Sequence, residues 1–282
     1  MPTLAHITDL HLDHWPDNLG TAINLLAGAD LDLLLIGGDN GNDDGILRTA
    51  REIKRVWPNV EVAWVMGNHD LWHRPYSHLW DGFEHVPATY LELQNLETDY
   101  CTVVGTYGHY DYRGGLATVP FEQYETFTDG KHTWNDRYID RIGHTNPQIA
   151  AQIAERFRDR YTAAIARRLP IIVLSHTWPF APTDEKFRSF FGAYGSNQLI
   201  GDIILSQTFR PSVLFCGHTH QAARWDEFGF PMINTGSDYQ EVRVTKWDLE
   251  VASSREQRSV KHVHFHLQKM GWSNKILSWL RF

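Results

Sequence analysis

Short, unbroken apolar runs alternate with amphipathic stretches through the first part of the chain. Leu4-Ala5-His6-Ile7-Thr8, Leu33-Leu34-Leu35-Ile36 and Val62-Ala63-Trp64-Val65-Met66 are continuous rather than alternating, the pattern of strands buried on both faces. Between them, Asp17 to Gly28 carries Leu19, Ile23 and Leu26 on one face and stops at Gly28. Gly45 to Trp57 carries Ile46, Ala50, Ile53 and Trp57 on a stripe and ends at Pro58. This spacing predicts β-α-β-α-β with parallel pairing and right-handed crossovers.

The alternation fails after Asp70. Tyr90–Leu93 and Tyr100–Val104 predict strands, and Gly105 to Asn146 reads as a long loop rich in Gly, Asp, Tyr and Trp. A helix is predicted over Pro147–Arg168, capped by Asn146, with Ile149, Ile153, Phe157, Tyr161 and Ile165 repeating at four-residue spacing. Two more buried runs, Ile171–Leu174 and Val213–Cys216, flank a helix expected over Ser196–Gln207. Beyond His220, Ala222–Phe228, Met232–Asn234, Glu241–Leu249 and Ser259–Leu267 predict antiparallel strands completing a second sheet, and Trp272–Phe282 a packed amphipathic tail. The expectation is one domain over 1–282, with an insertion at about 71–169 and a β-rich C-terminal extension at about 241–282.

Composition narrows the function. Lys plus Arg number 26 against 34 for Asp plus Glu, a net charge of −8, which argues against an extensive nucleic-acid surface. The two cysteines, Cys101 and Cys216, are too few for a disulfide framework, and Cys216 reads as a small buried residue. No apolar run reaches the roughly 20 residues of a membrane span. The first strand begins almost at once and leaves no room for a signal peptide, so a soluble, reducing, cytoplasmic setting is expected.

Candidate chemistry lies where five apolar runs end. The segments are Asp9-Leu10-His11, Gly38-Asp39, Gly67-Asn68-His69-Asp70, Ser175-His176 and Gly217-His218-Thr219-His220. In open α/β sheets ligands bind beyond the carboxyl ends of the strands, so the five are expected to converge on one edge of one sheet. A carboxylate with two oxygens suits a bridge between cations, Asn68 adds a neutral oxygen, and the histidines add imidazole nitrogens. This mixed set suits Mn, Fe, Zn, Co or Ni better than Ca, and the lack of thiolates argues against a structural zinc site.

Taken in order, Asp9-x-His11, Gly38-Asp39, Gly67-Asn68-His69-Asp70, His176 and Gly217-His218-x-His220 make the chain resemble the calcineurin-like metallophosphoesterases, over roughly 3–70 and 170–240. The resemblance implies a four-layer α/β/β/α sandwich of two mixed sheets flanked by helices. It also implies two divalent or transition metal ions: one on Asp9, His11 and His220, the other on Asn68, His176 and His218, with Asp39 bridging. His69 would stay unligated, facing the phosphate of a phosphate-ester substrate as the catalytic hydrogen-bond or proton donor. A bridging hydroxide would attack phosphorus in line. Met66 before Gly67, and Asp70 after His69, depart from the protein Ser/Thr phosphatases, and Asn42 replaces the ligating Tyr of the purple acid phosphatases. Asp43, Asp70 or another residue is left to orient His69.

A small phosphodiester or nucleotide is the favoured substrate, with a DNA or RNA nuclease and a non-catalytic metal-binding scaffold as alternatives. His73, Arg74, Arg113 and Arg137 are candidate phosphate contacts, with His14 and His109 beside them. Trp15, Tyr110, Tyr112 and Trp134 are candidate ring-stacking residues, and the insertion is expected to decide specificity. His262, His264 and His266 read as an edge strand rather than a metal comb. The arginines from Arg156 to Arg168 read as a solvated helix face. Oligomeric state is not legible.

Overall fold

The computed structural model describes residues 2–249 and the backbone of 266–269. The predicted Trp272–Phe282 tail, His262 and His264 lie outside the described residues. Strand β1 (Thr3–Ile7), helix α1 (Asn18–Leu26), β2 (Leu33–Ile36), α2 (Asn42–Val56) and β3 (Glu61–Trp64) follow the predicted alternation. Then come β4 (Thr89–Tyr90), β5 (Leu96–Glu97), β6 (Thr102–Thr106), the single-turn α3 (Phe121–Tyr124) and the long α4 (Asn146–Ala166). The chain continues through β7 (Ile171–Ser175), α5 (Gln198–Ser206), β8 (Val213–Cys216), β9 (Ala223–Trp225), β10 (Met232–Asn234), β11 (Arg243–Asp248) and β12 (His266–Lys269).

These strands form two six-stranded mixed sheets, ordered β12-β11-β1-β2-β3-β4 and β5-β6-β7-β8-β10-β9. The α/β sandwich is the expected architecture, but the ligand-bearing strands do not share one sheet. Strands β1, β2 and β3 run parallel in the first sheet, and β7 and β8 run parallel in the second. A continuous apolar run shows that both faces are covered without showing which sheet it joins. The strands after His220 also divide: β10 pairs parallel with β8 and antiparallel with β9, whereas β11 pairs antiparallel with β1. They therefore complete both sheets rather than one.

The reason for the unbroken apolar runs is visible in the packing. Within each central strand, alternate residues enter different cores. Leu4, Leu33, Leu35, Ala63, Val65, Ile172, Leu174, Val213 and Phe215 fill the layer between the sheets. Their neighbours Ala5, Ile7, Leu34, Ile36, Val62, Trp64, Ile171, Val173 and Leu214 pack with the helix faces. Leu19, Ala22, Leu26, Ile46, Ala50 and Ile53 come from α1 and α2; Ile149, Ile153, Phe157, Tyr161, Ile200 and Ile204 come from α4 and α5.

Residues 71–169 add to this frame as well as covering it, since β4 extends the first sheet beside β3 and β6 pairs with β7 in the second. Helix α4 starts at Asn146, one residue earlier than predicted. Thr145, not Asn146, is the N-cap, and its side chain and that of Gln148 exchange hydrogen bonds with each other's backbone in a capping box. Asn146 instead turns inward, meeting His109 Nε2 at 2.8 Å and donating to the Tyr112 hydroxyl at 2.6 Å.

Candidate metal centre

The five strands run parallel within their sheets, and the side chains just beyond the carboxyl ends of both sets meet at one edge of the sandwich. Asp9, His11, Asp39 and His220 each place one donor atom within 4.8 Å of the others. Beside them, Asn68 Oδ1 lies 2.9 Å from His176 Nε2 and 2.9 Å from His218 Nδ1. One oxygen of Asp39 sits between the two groups, 4.0 Å from His11 Nε2 and 3.5 Å from His176 Nε2. The seven candidate ligands are thus brought together, with His69 next to them.

The loops are built for this crowding. Asp9, His11, Asp39, His218 and His220 all adopt positive φ, a conformation costly for a residue with a side chain and typical of sites that surrounding structure over-determines. The motif glycines are required by close approach. A Cβ on Gly67 would overlap Asp39 Oδ1, and one on Gly38, itself at φ +96°, would lie 2.6 Å from His176 Nδ1. The loops also bond to one another across the sandwich, as His218 donates its backbone N–H to Asp9 Oδ1 at 3.1 Å. Asp70 receives five backbone amides, from Asp39, Asn40, Gly41, Asn42 and Gly67, at 2.9–3.2 Å. It organises two of the motif loops at once. Burial, helped by the Asp39 charge, pushes its carboxyl up to about 7, and the amides pull the other way.

Hydrogen bonds on the far sides of the imidazoles decide which nitrogens face the centre. His176 Nδ1–H donates to the Gly37 carbonyl at 2.7 Å, and His218 Nε2–H donates to the Tyr194 carbonyl at 2.9 Å. A carbonyl only accepts, so His176 Nε2 and His218 Nδ1 turn their lone pairs toward Asn68 Oδ1. The Asn68 amide is itself fixed, because its Nδ2 donates to Asp136 Oδ1 at 2.8 Å. Three acceptors therefore converge on one point, an arrangement that calls for a cation. Burial holds His218 down to about 4 and His11 down to about 4, leaving neutral imidazoles, the ligating form. Against burial, the Asp39 charge lifts His176 up to about 9, so without a cation Nε2 carries a proton toward Asn68 Oδ1 and Asp39, and its lone pair becomes available to a metal ion as that proton leaves. His11 is fully buried, and neither ring nitrogen has a hydrogen-bond partner among the described residues. His220 Nδ1 meets Asp238 Oδ1 at 3.3 Å, directing Nε2 to within 3.6 Å of Asp9 Oδ1. The donor set fits divalent metal ions.

His69 is not oriented by either nearby carboxylate. Asp70 is committed to backbone amides, and Asp43 pairs with Arg74 at 2.5 Å and His78 at 3.1 Å. Instead the His69 backbone N–H donates to Asp39 Oδ1 at 2.9 Å, and its ring stacks on Trp72 at 3.7 Å. Tyr239, half-exposed, lies over the same corner with ring centroids 4.7 Å from His11 and 4.9 Å from His220.

The candidate substrate contacts separate into two kinds. Arg74 is held by Asp43, and Arg113 pairs with Asp202 at 2.8 Å. His73 stacks on Tyr138 at 4.9 Å, and the Arg137 guanidinium lies 5.0 Å from the centroid of the same ring. Tyr138 in turn meets Trp72 edge-on at 6.2 Å. His14 is exposed beside Asp13. His109 is buried, and burial holds it down to about 4. Tyr110, Tyr112 and Trp134 pack with Tyr194 in a small aromatic core of their own.

Asp136, Tyr194 and Asp238 carry roles that no motif announces. Asp136 and Tyr194 act from positions with no periodicity or spacing to single them out, and Asp238 lies in the link before β11.

A family model described as calcineurin-like phosphoesterase matches residues 2–222. Among solved structures, the chain is similar to the phosphopantetheinyl hydrolase PptH from Mycobacterium tuberculosis, with a TM-score of 0.61 and 18% identity over 84% of this chain and 90% of that one. It is also similar to TT1561 of Thermus thermophilus, at TM-score 0.54 and 14% identity over 86% and 93% of the two chains. The calcineurin-like phosphoesterase YfkN from Bacillus subtilis gives TM-score 0.52 and 14% identity over 95% and 90%. At these identities the likeness is one of fold. A search of curated proteins found no match.

Proposed function

Since the chain belongs to the calcineurin-like phosphoesterase family, we propose that it hydrolyses a phosphate ester, favouring a small phosphodiester or nucleotide, at a pair of metal ions. Family and Asp/His cluster together imply metal-dependent phosphoester hydrolysis. In this reading Asp9, His11 and His220 hold one ion, Asn68, His176 and His218 hold the other, and Asp39 serves both. The observation that carries it is the convergence of the His176, His218 and Asn68 lone pairs, fixed from behind by Gly37, Tyr194 and Asp136. When bound, such a pair supplies Lewis acidity, neutralising phosphoryl charge and acidifying water toward a pKa of ~7.

The chain's own residues supply the rest. His69 is tied to Asp39 through its backbone N–H and its ring stacks on Trp72; in this reading the ring donates a hydrogen bond or proton to the leaving oxygen. The charge inventory favours a diester, which brings one negative charge, over a monoester dianion. Arg74 and Arg113 are tied to carboxylates, and Arg243 is tied to Glu241 at 2.8 Å. Arg137 makes no ion pair among the described residues. With His73 and Tyr138 it forms a shelf beyond Trp72, suited to a leaving group that carries a ring or a second anionic group.

The test is Mn-loaded protein assayed on bis-p-nitrophenyl phosphate, p-nitrophenyl phosphate and a short oligonucleotide. Chelator-sensitive turnover, fastest on the small diester, is expected. Turnover that ignores chelation, or none on any of the three, contradicts the proposal. Preference for the oligonucleotide would make the protein a nuclease.

A further inference from the structure

Asp136 sits on the short turn Asn135–Tyr138, far in sequence from every strand-end motif, yet it is only 2% exposed and every lone-pair site it has is used. Its Oδ1 accepts from Asn68 Nδ2 at 2.8 Å and from the Trp72 indole at 2.7 Å. Its Oδ2 accepts from the Tyr110 hydroxyl and the Trp134 indole, each at 2.5 Å. One side of this carboxylate is anchored in the aromatic core of the 71–169 segment, and the other side holds the two residues flanking His69 in function: a candidate ligand and the ring under the catalytic imidazole.

We propose that Asp136 is a positioning residue that selects the amide orientation of Asn68 and thereby opens the second metal site; this rests on the dinuclear reading above. The physical reason is a competition. An asparagine amide has two ends, and the lone pairs of His176 Nε2 and His218 Nδ1 both lie 2.9 Å from the end now occupied by Oδ1. With those nitrogens unprotonated, the state that ligation requires, a free amide would turn its NH2 toward them, satisfy them, and close the site to cations. The Asp136 carboxylate opposes this, because the turned amide would set carbonyl oxygen against carboxylate oxygen. The same oxygen steadies Trp72 and so the platform on which His69 stacks at 3.7 Å. Outer partners of metal ligands commonly carry ~10–100-fold in metal affinity or activity.

The experiment titrates metal-free protein with Co2+, following the visible absorption of the bound ion, with a thermal melt of each metal-free variant alongside. Wild type is expected to bind two equivalents. Asp136→Asn offers an NH2 to donors and is expected to bind one equivalent as wild type does and the second at least ~10-fold more weakly. Tyr110→Phe, which removes a donor from the other oxygen, is expected to lower the melt while keeping both equivalents. The reciprocal variant Asn68→Asp/Asp136→Asn restores a donor–acceptor pair in the opposite sense and is expected to recover the second equivalent, whereas Asn68→Asp alone opposes two carboxylates and does not.

Asp136→Asn that titrates like wild type overturns the inference. So does a Tyr110→Phe loss as large as that of Asp136→Asn, which would mark a merely structural role. Should Asp136→Asn fail to fold, the reciprocal variant against Asn68→Asp alone decides: better binding by the former supports the inference, and equal binding overturns it. A wild-type protein that takes up fewer than two equivalents overturns the dinuclear reading itself, and this inference with it.

Discussion

In the five strand-end segments, every candidate donor lies within four residues of the strand that carries it, whereas Asp136 stands on a turn that joins neither sheet. The first group owes its place to chain-local geometry: a buried strand ends, a glycine permits close approach, and a strained loop points the side chain at the edge. The second acts only through tertiary contact. Comparing the two shows a division of labour. The sheet edge decides where the donors are and, through Gly37, which way His176 faces, whereas Asp136 on the 71–169 segment, Tyr194 and Asp238 turn Asn68, His218 and His220. Damage to the edge should therefore abolish metal-dependent chemistry, and damage to the overlying segment should grade it.

The largest effect expected is at the junction of the two donor groups. Asp39→Asn removes the charge that both groups share, and kcat/KM should fall at least ~10^3-fold, about 4 kcal/mol of lost transition-state stabilisation. Steady-state assay on the diester with saturating Mn checks it; a loss under tenfold would place the chemistry elsewhere. Next is His69→Gln, which keeps the metal complement and should lower kcat by ~10^2-fold or more with little change in KM. Metal content measured on the same preparation separates a lost proton donor from a lost ion.

Smaller effects sharpen the account of the overlying segment. If Arg137 steadies an anionic or ring-bearing leaving group, Arg137→Ala raises KM about tenfold for a diester carrying such a group and leaves bis-p-nitrophenyl phosphate almost unaffected. Equal effects on both substrates would remove it from the substrate shelf. The smallest is Thr145→Ala, which takes away half of the α4 capping box and should cost about 1 kcal/mol of stability by denaturant titration, with kcat and KM unchanged. An activity loss there would mean that the fold of the segment and the orientation of the site are not separable.

Legibility from sequence follows the same division. Leu33–Ile36 or Val213–Cys216 can be recognised as buried strands because each alternate residue has its own apolar layer to enter. The donors after them are readable because each follows such a run directly. That β1–β3 and β7–β8 belong to different sheets is not written in those runs, since burial on both faces looks the same in either sheet. The Thr145 cap is readable as Thr-x-x-Gln, but Asn146 and Pro147 draw the boundary one residue later. Asp136 is hidden for a stronger reason. Its neighbours Trp134, Asn135, Arg137 and Tyr138 show no period, and its partners Asn68, Trp72 and Tyr110 are distant in sequence. Only the folded chain brings their donors, with the Trp134 indole, to one carboxylate.

Crystals of the Mn-loaded protein, measured for anomalous scattering, test the central claim most directly. The account predicts two peaks about 3.5–4 Å apart, one beside Asp9, His11 and His220, the other beside Asn68, His176 and His218, with the Asp39 carboxylate between them. A single peak, or a pair that does not share Asp39, would contradict it.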